Sequence, residues 1–121
     1  MLRLFNSMGR KVEPFTPNDT EHDRMYVCGT TVYSYAHIGN ARPAVVFDVL
    51  ARVLRAQVQR VTYARNITDV DDKHIAAASA RDTSCEENTT EFTRDYHDDI
   101  AAQTAAAPEI EPRAQDRDTD A

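Results

Sequence analysis

Between residues 25 and 67 the hydrophobic period changes twice, and this change constrains the fold more than any other feature of the chain. Met25-Tyr26-Val27-Cys28 is a short apolar run closed by Gly29, which reads as a buried strand. From Ala41 the pattern turns helical. Val46, Val49, Leu50, Val53 and Leu54 recur at spacings of three and four, while Arg52, Arg55 and Gln59 fall mostly off that stripe. Val61, Tyr63 and Ala64 through Ile67 then suggest a second strand. Strand, helix, strand in this order predicts one right-handed crossover with parallel strands, hence an α/β fold with a parallel sheet and flanking helices. One such unit is too little sheet for a complete doubly wound domain, so the expected fold is an incomplete one.

The flanks fit around this unit. Residues 1–6 and 11–15 read as short strands about a Gly9-Arg10 turn, and Asn18-Asp19-Thr20 as a loop. Thr68 followed by Asp69, Asp71 and Asp72 predicts a helix start, because acids there complement the helix dipole; the helix would run to about Ala80. Phe92, Tyr96 and Ile100 recur every fourth residue and predict a helix over 86–104. Alanines, Pro108 and Pro112 follow. Residues 115–121 form a polar tail with nothing to give a core, expected to fray. The expected division is therefore 1–114 as domain and 115–121 as tail.

Composition narrows the class. Apolar residues make up 41% of the 121, enough for a modest core. Twenty acids against 14 bases give a net charge of −6, so the chain as a whole lacks the basic footprint of a nucleic-acid binder. Two widely separated cysteines, Cys28 and Cys85, make no disulfide framework and suit a reducing, cytoplasmic setting. No apolar run approaches the ~18 residues that span a bilayer, and the first residues lack the apolar stretch of a signal peptide.

The chemistry concentrates at His37-Ile38-Gly39-Asn40, between the first strand and the helix. A helix amino terminus presents unpaired N–H groups and partial positive charge, which suits phosphate. His37 and Asn40, three apart, would share a helix face and both can donate to an anion; Gly39 lets a flat ligand lie against backbone. On these four residues alone, capping and turn chemistry is the commoner reading. Cys28, by pattern alone, is a small buried residue at a strand end. Cys85 reads as an incidental thiol; His22, His74 and His97 as isolated surface residues; Tyr63 and Asp48 as packing and helix-surface residues. Asp69, Asp71 and Asp72 admit a magnesium reading as well as the helix-start one.

The stretch MYVCGTTVYSYAHIGNARPAVVFDVLARVLR, followed by YARNITDVDDK, resembles the cysteinyl-tRNA synthetases, which are class I aminoacyl-tRNA synthetases. The resemblance runs from Met1 to about Ile75, loosens over 76–107 and returns at Glu111-Pro112-Arg113-Ala114. His37-Ile38-Gly39-Asn40 is similar to the first signature of that family, HIGH, with Asn in the last place. The resemblance implies the amino-terminal part of a Rossmann-like catalytic domain. It implies ATP binding at His37, Ile38, Gly39 and Asn40, with His37 and Asn40 as the catalytic donors, Mg2+ accompanying ATP, and Gly29 and Thr68 near the substrate cysteine. It makes Cys28 a ligand of a zinc ion (Zn2+) that holds the substrate thiolate, a soft pairing that would discriminate against serine. The implied partners are cysteine, ATP and tRNA(Cys), and the implied state is a cytoplasmic monomer without membrane attachment. In the family the other zinc ligands and the second signature, KMSKS, lie downstream, so the chain alone is expected to be inactive. Two alternatives stand beside this reading: the related ligase that joins cysteine to an amino sugar in mycothiol synthesis, and a non-catalytic truncated paralogue acting as a binding module.

Overall fold

The computed structural model describes residues 1–114, so the expectation for 115–121 lies outside the described residues. Strands β1 (Arg3–Asn6) and β2 (Lys11–Pro14) form an antiparallel hairpin, with Phe5 opposite Val12. Its turn closes on Arg10, in the left-handed region at φ 51°. The hairpin packs against none of the other elements.

The expected crossover is present. Strand β3 (His22–Val27) pairs in parallel with β4 (Arg60–Arg65), His22 opposite Arg60 and Val27 opposite Arg65, and helix α1 (Ile38–Arg55) connects them. Beyond the strands the ladder continues through a bridge between Thr31 and Thr68. On the far side of β4, residues 109–114 run parallel to it. Arg65 N–H donates to Ile110 O and Ile67 N–H to Pro112 O, both at 3.0 Å. The proline-bearing segment after residue 107, whose sequence predicts no strand, thus extends the sheet. Proline is tolerated there because an edge position needs only its carbonyl.

Helix α1 starts three residues before Ala41 and turns a different face to the core than the valine stripe suggests. Ala44, Asp48, Ala51 and Leu54 are buried, whereas Val46, Val49 and Val53 are 53%, 54% and 37% exposed. Both stripes have helical spacing; the small alanines allow the closer approach to the sheet, and size rather than hydrophobicity decides. Asp48 is tolerated on the inner face because its Oδ1 accepts the Ala106 N–H at 3.0 Å and its Oδ2 accepts from Arg52 Nε at 2.8 Å. It is a buried tie between α1 and the segment after α3, not a helix-surface residue.

Helix α2 (Asp72–Arg81) is capped by Asp71, whose side chain accepts the Lys73 N–H, and ends on Asp82 at φ 54°. Helix α3 (Cys85–Ala102) starts with a capping box between Ser84 and Glu87. Val32, Ala44, Ile67, Phe92, Tyr96 and Ile100 make one core cluster; Val27, Ala51 and Tyr63 make the other, with Met25 and Phe47 against it. His74 is 1% exposed and meets Tyr33 edge-on at 6.3 Å, so it is a core residue and not a surface one. A histidine in the first turn of a short helix carries no sequence signal that separates those two places.

Candidate functional site

The chain leaves the sheet at Cys28-Gly29, and contacts from two residues fix the turn it makes. Gly29 N–H donates to Asn66 Oδ1 at 2.7 Å. Thr68 N–H donates to Thr30 O, and Val32 N–H to Thr68 O, each at 3.2 Å. The turn therefore lies flat on the residues that follow β4. Cys28 is exposed, with no disulfide partner, so it is not the buried strand-end thiol that pattern alone suggests.

The amino terminus of α1 sits beside this turn. His37 is the N-cap, with extended backbone at φ −95°, ψ 156°. Its Nδ1 accepts the Gly39 N–H at 3.1 Å, and Asn40 Oδ1 accepts the His37 N–H at 2.9 Å, a reciprocal capping box. Because Nδ1 accepts, the neutral ring carries its proton on Nε2, an assignment made from the bonding pattern. His37 and Asn40 do not stand side by side on one helix face, since His37 precedes the helix; the capping reading and the anion-binding reading occupy the same residues. Asn40 Nδ2 donates to Thr30 Oγ1 at 3.0 Å, which joins the helix start to the cysteine-bearing turn.

Between the two lies a cleft of about 320 Å³. Cys28, Gly29, Thr30, Gly39, Asn40 and Pro43 line it, together with Arg65, Lys73 and Tyr96. It opens at the carboxyl ends of the parallel strands, where open α/β sheets hold their ligands. Four expected site residues, Cys28, Gly29, Gly39 and Asn40, share this cleft. His37 and Ile38 stand just outside its lining, Ile38 at 80% exposure, and Thr68 reaches the site through its backbone bonds to residues 30–32.

Local charge in the cleft opposes the acidity of the whole chain. The first turn of α1 holds no acid, so its partial positive charge is not neutralised by the helix itself. Lys73 lines the cleft with its Nζ 5.6 Å from the Tyr33 ring. Arg65 is 3% exposed, its guanidinium 5.6 Å from the Tyr96 ring and 3.6 Å from Glu111 Oε2. Sequence reasoning misses Asn66, Thr30, Arg65 and Lys73 as site residues. For Asn66 a signal exists: a polar residue immediately after a strand of a parallel pair lies where such sites form.

The acids after Thr68 do not converge. Asp71 caps α2, Asp72 is exposed in its first turn, and Asp69 is buried. Among the described residues no group of three or more His, Cys, Asp or Glu side chains is placed to hold a metal ion. Cys28 supplies one soft donor to the cleft, and a tetrahedral zinc site requires more than the residues described.

A family model described as the tRNA synthetases class I (C) catalytic domain matches residues 14–120. The chain belongs to this family. It is 56% identical over 113 residues to a cysteine–tRNA ligase of Rhodospirillum rubrum, covering 93% of this chain and 25% of the relative. It is 58% identical over 111 residues to a cysteine–tRNA ligase of Granulibacter bethesdensis, covering 92% of this chain and 24% of the relative. A cysteine–tRNA ligase of Xanthomonas oryzae pv. oryzae is 55% identical over 113 residues, with 93% and 24% covered. The chain thus spans about a quarter of the length of these curated relatives. The match to the class I family bears out the resemblance drawn from the cysteine-bearing strand and the HIGN segment, and the parallel pair with its helices is the α/β fragment that resemblance implies. No helix among the described residues is long and apolar enough to cross a membrane.

Proposed function

We propose that this chain provides part of the nucleotide- and cysteine-binding cleft of a cysteine–tRNA ligase. The observation that carries the reading is the juxtaposition of Cys28-Gly29 with the amino terminus of α1 across one cleft at the carboxyl end of a parallel sheet. In the parent reaction a carboxylate oxygen of cysteine attacks the α-phosphorus of ATP, pyrophosphate leaves, and cysteinyl-adenylate forms. The cysteinyl group then passes to the terminal ribose of tRNA(Cys), with release of AMP. No protein nucleophile is required: alignment and stabilisation of charge on the transferring phosphate suffice.

In this reading the nucleotide phosphates, with Mg2+, lie at the start of α1. His37 Nε2–H is the donor toward them, while its Nδ1 stays with Gly39. A β-carbon at Gly39 would stand 3.3 Å from His37 Nδ1 and crowd the ring that makes this approach. Gly29 and Thr68 border the amino acid, and the Cys28 thiol faces it. Zinc would need ligands beyond those described. Because the sequence contains no KMSKS segment, the 121 residues by themselves are expected to bind substrates without completing adenylate synthesis.

Calorimetric titration of the chain with magnesium-ATP tests the reading. A donor to a charged oxygen contributes about 1.5–3 kcal/mol, so His37→Ala is expected to weaken ATP binding by roughly tenfold or more and leave cysteine binding alone. Equal ATP affinity in the two chains would remove His37 from the site. No ATP binding by the unaltered chain would sink the nucleotide reading.

A further inference from the structure

Asn40 is bonded at both ends of its amide. Oδ1 accepts the His37 N–H at 2.9 Å, and Nδ2 donates to Thr30 Oγ1 at 3.0 Å. The orientation is determined by these partners, because exchanging oxygen and nitrogen would set a donor against the His37 N–H. The turn that Thr30 belongs to is held from the opposite side by Asn66, through the Gly29 N–H at 2.7 Å. Cys28 therefore sits next to a short segment with one anchor on the strand side and one on the helix side.

We infer that Asn40 is a positioning residue that couples occupancy of the α1 amino terminus to the placement of Cys28, with Thr30 as the connecting group. The inference rests on the nucleotide reading of the helix terminus and goes beyond it. An anion received by His37 Nε2–H pulls on the cap residue whose backbone N–H Asn40 Oδ1 accepts, and any adjustment of Asn40 is passed through a half-buried side-chain bond to Thr30. The far anchor, Asn66, lies after β4 and holds Gly29 from the strand side. The adjustment is thus taken up between Gly29 and Thr30, beside the thiol. Such a connection relates filling of the nucleotide end to readiness of the cysteine end, without contact between Asn40 and the amino acid.

The test uses the 121-residue chain carrying Cys85→Ser, which leaves Cys28 as its one thiol. The probe is the rate of Cys28 alkylation by iodoacetamide, with and without magnesium-ATP, while the Gly39 amide resonance independently reports nucleotide at the helix start. Three forms are compared: Thr30 unaltered, Thr30→Val, which loses the acceptor, and Thr30→Ser, which keeps it. ATP is expected to change the alkylation rate by about threefold with Thr30 or Ser, the scale of one neutral hydrogen bond, and to leave it unchanged with Val. A merely structural hydroxyl would alter the basal rate but not its response to ATP. If Thr30→Val responds as Thr30 does, or if ATP moves the Gly39 resonance in the unaltered form without changing Cys28 reactivity, the coupling is overturned. If ATP moves neither, the nucleotide reading fails and the coupling falls with it.

Discussion

A β-carbon on Gly29 would stand 1.7 Å from the backbone oxygen of Asn66. No side chain fits there, and the reason is contact, since no glycine among the described residues has positive φ. The same approach lets Gly29 N–H reach Asn66 Oδ1, so the constraint and the bond that holds the cysteine-bearing turn have one origin. Gly29→Ala must push the turn off β4. The expected cost is about 3 kcal/mol, the upper end of overpacking without dihedral strain. Urea unfolding at unchanged slope measures it; a cost below about 0.5 kcal/mol, typical of surface changes, would show that the turn shifts freely.

Asp48 gives a second prediction. Its side chain is 7% exposed and serves Ala106 N–H and Arg52 Nε, and Arg52 in turn donates to Thr104 O at 2.9 Å. The Arg52 side chain is 58% exposed, so the ion pair itself contributes little. Leaving the Ala106 N–H without a partner costs more than losing that pair. Asp48→Ala is expected to cost about 2 kcal/mol and Asp48→Asn, which keeps an acceptor, less than half of that. Equal losses for the two variants would assign the effect to the charge instead.

The buried imidazole of His74 predicts a pH dependence. Burial lowers its pKa from the ordinary 6.5, against the opposing pull of Asp71 and Asp69. The unfolded chain therefore takes up the proton more readily than the folded one. The contribution is complete above 6.5 and is lost as pH falls below it, with a slope of at most about 1.4 kcal/mol per pH unit. His74→Leu removes the group, so the difference in stability between variant and parent should shift in the variant's favour as pH drops toward about 5.5. A difference that stays constant with pH would contradict the buried-neutral assignment.

The parallel unit was legible because its period changes at Gly29 and again near residue 60, and helix α3 because Phe92, Tyr96 and Ile100 lie on one face. Which face of α1 turns inward was not legible: Ala44 and Ala51 compete with three valines at equal spacing, and close approach to the sheet decides. The edge segment at 109–114 was hidden by its prolines, which suppress strand signals although the carbonyl of Pro112 serves the ladder. At the candidate cleft, the short motif points to Gly39 and Asn40 of its lining and the cysteine to the turn, while His37 and Ile38 stand outside that lining. Asn66 stands immediately after β4, a signal hidden by a strand read on through Ile67, and Thr30 is visible only once the turn is set beside the start of α1.

If one cleft takes nucleotide at the start of α1 and cysteine at Cys28-Gly29, the largest shifts from the two ligands must fall on two different sets of backbone amides. The measurement is the amide spectrum of the isotope-labelled 121-residue chain, recorded on adding magnesium-ATP and then L-cysteine. ATP is expected to move Ile38, Gly39 and Asn40 most, with smaller shifts at Gly29 and Thr30 passed through the Asn40–Thr30 bond, and cysteine to move Cys28, Gly29 and Thr68 most. Shifts confined to other surfaces, or the two ligands competing for one set of residues, would refute the shared cleft.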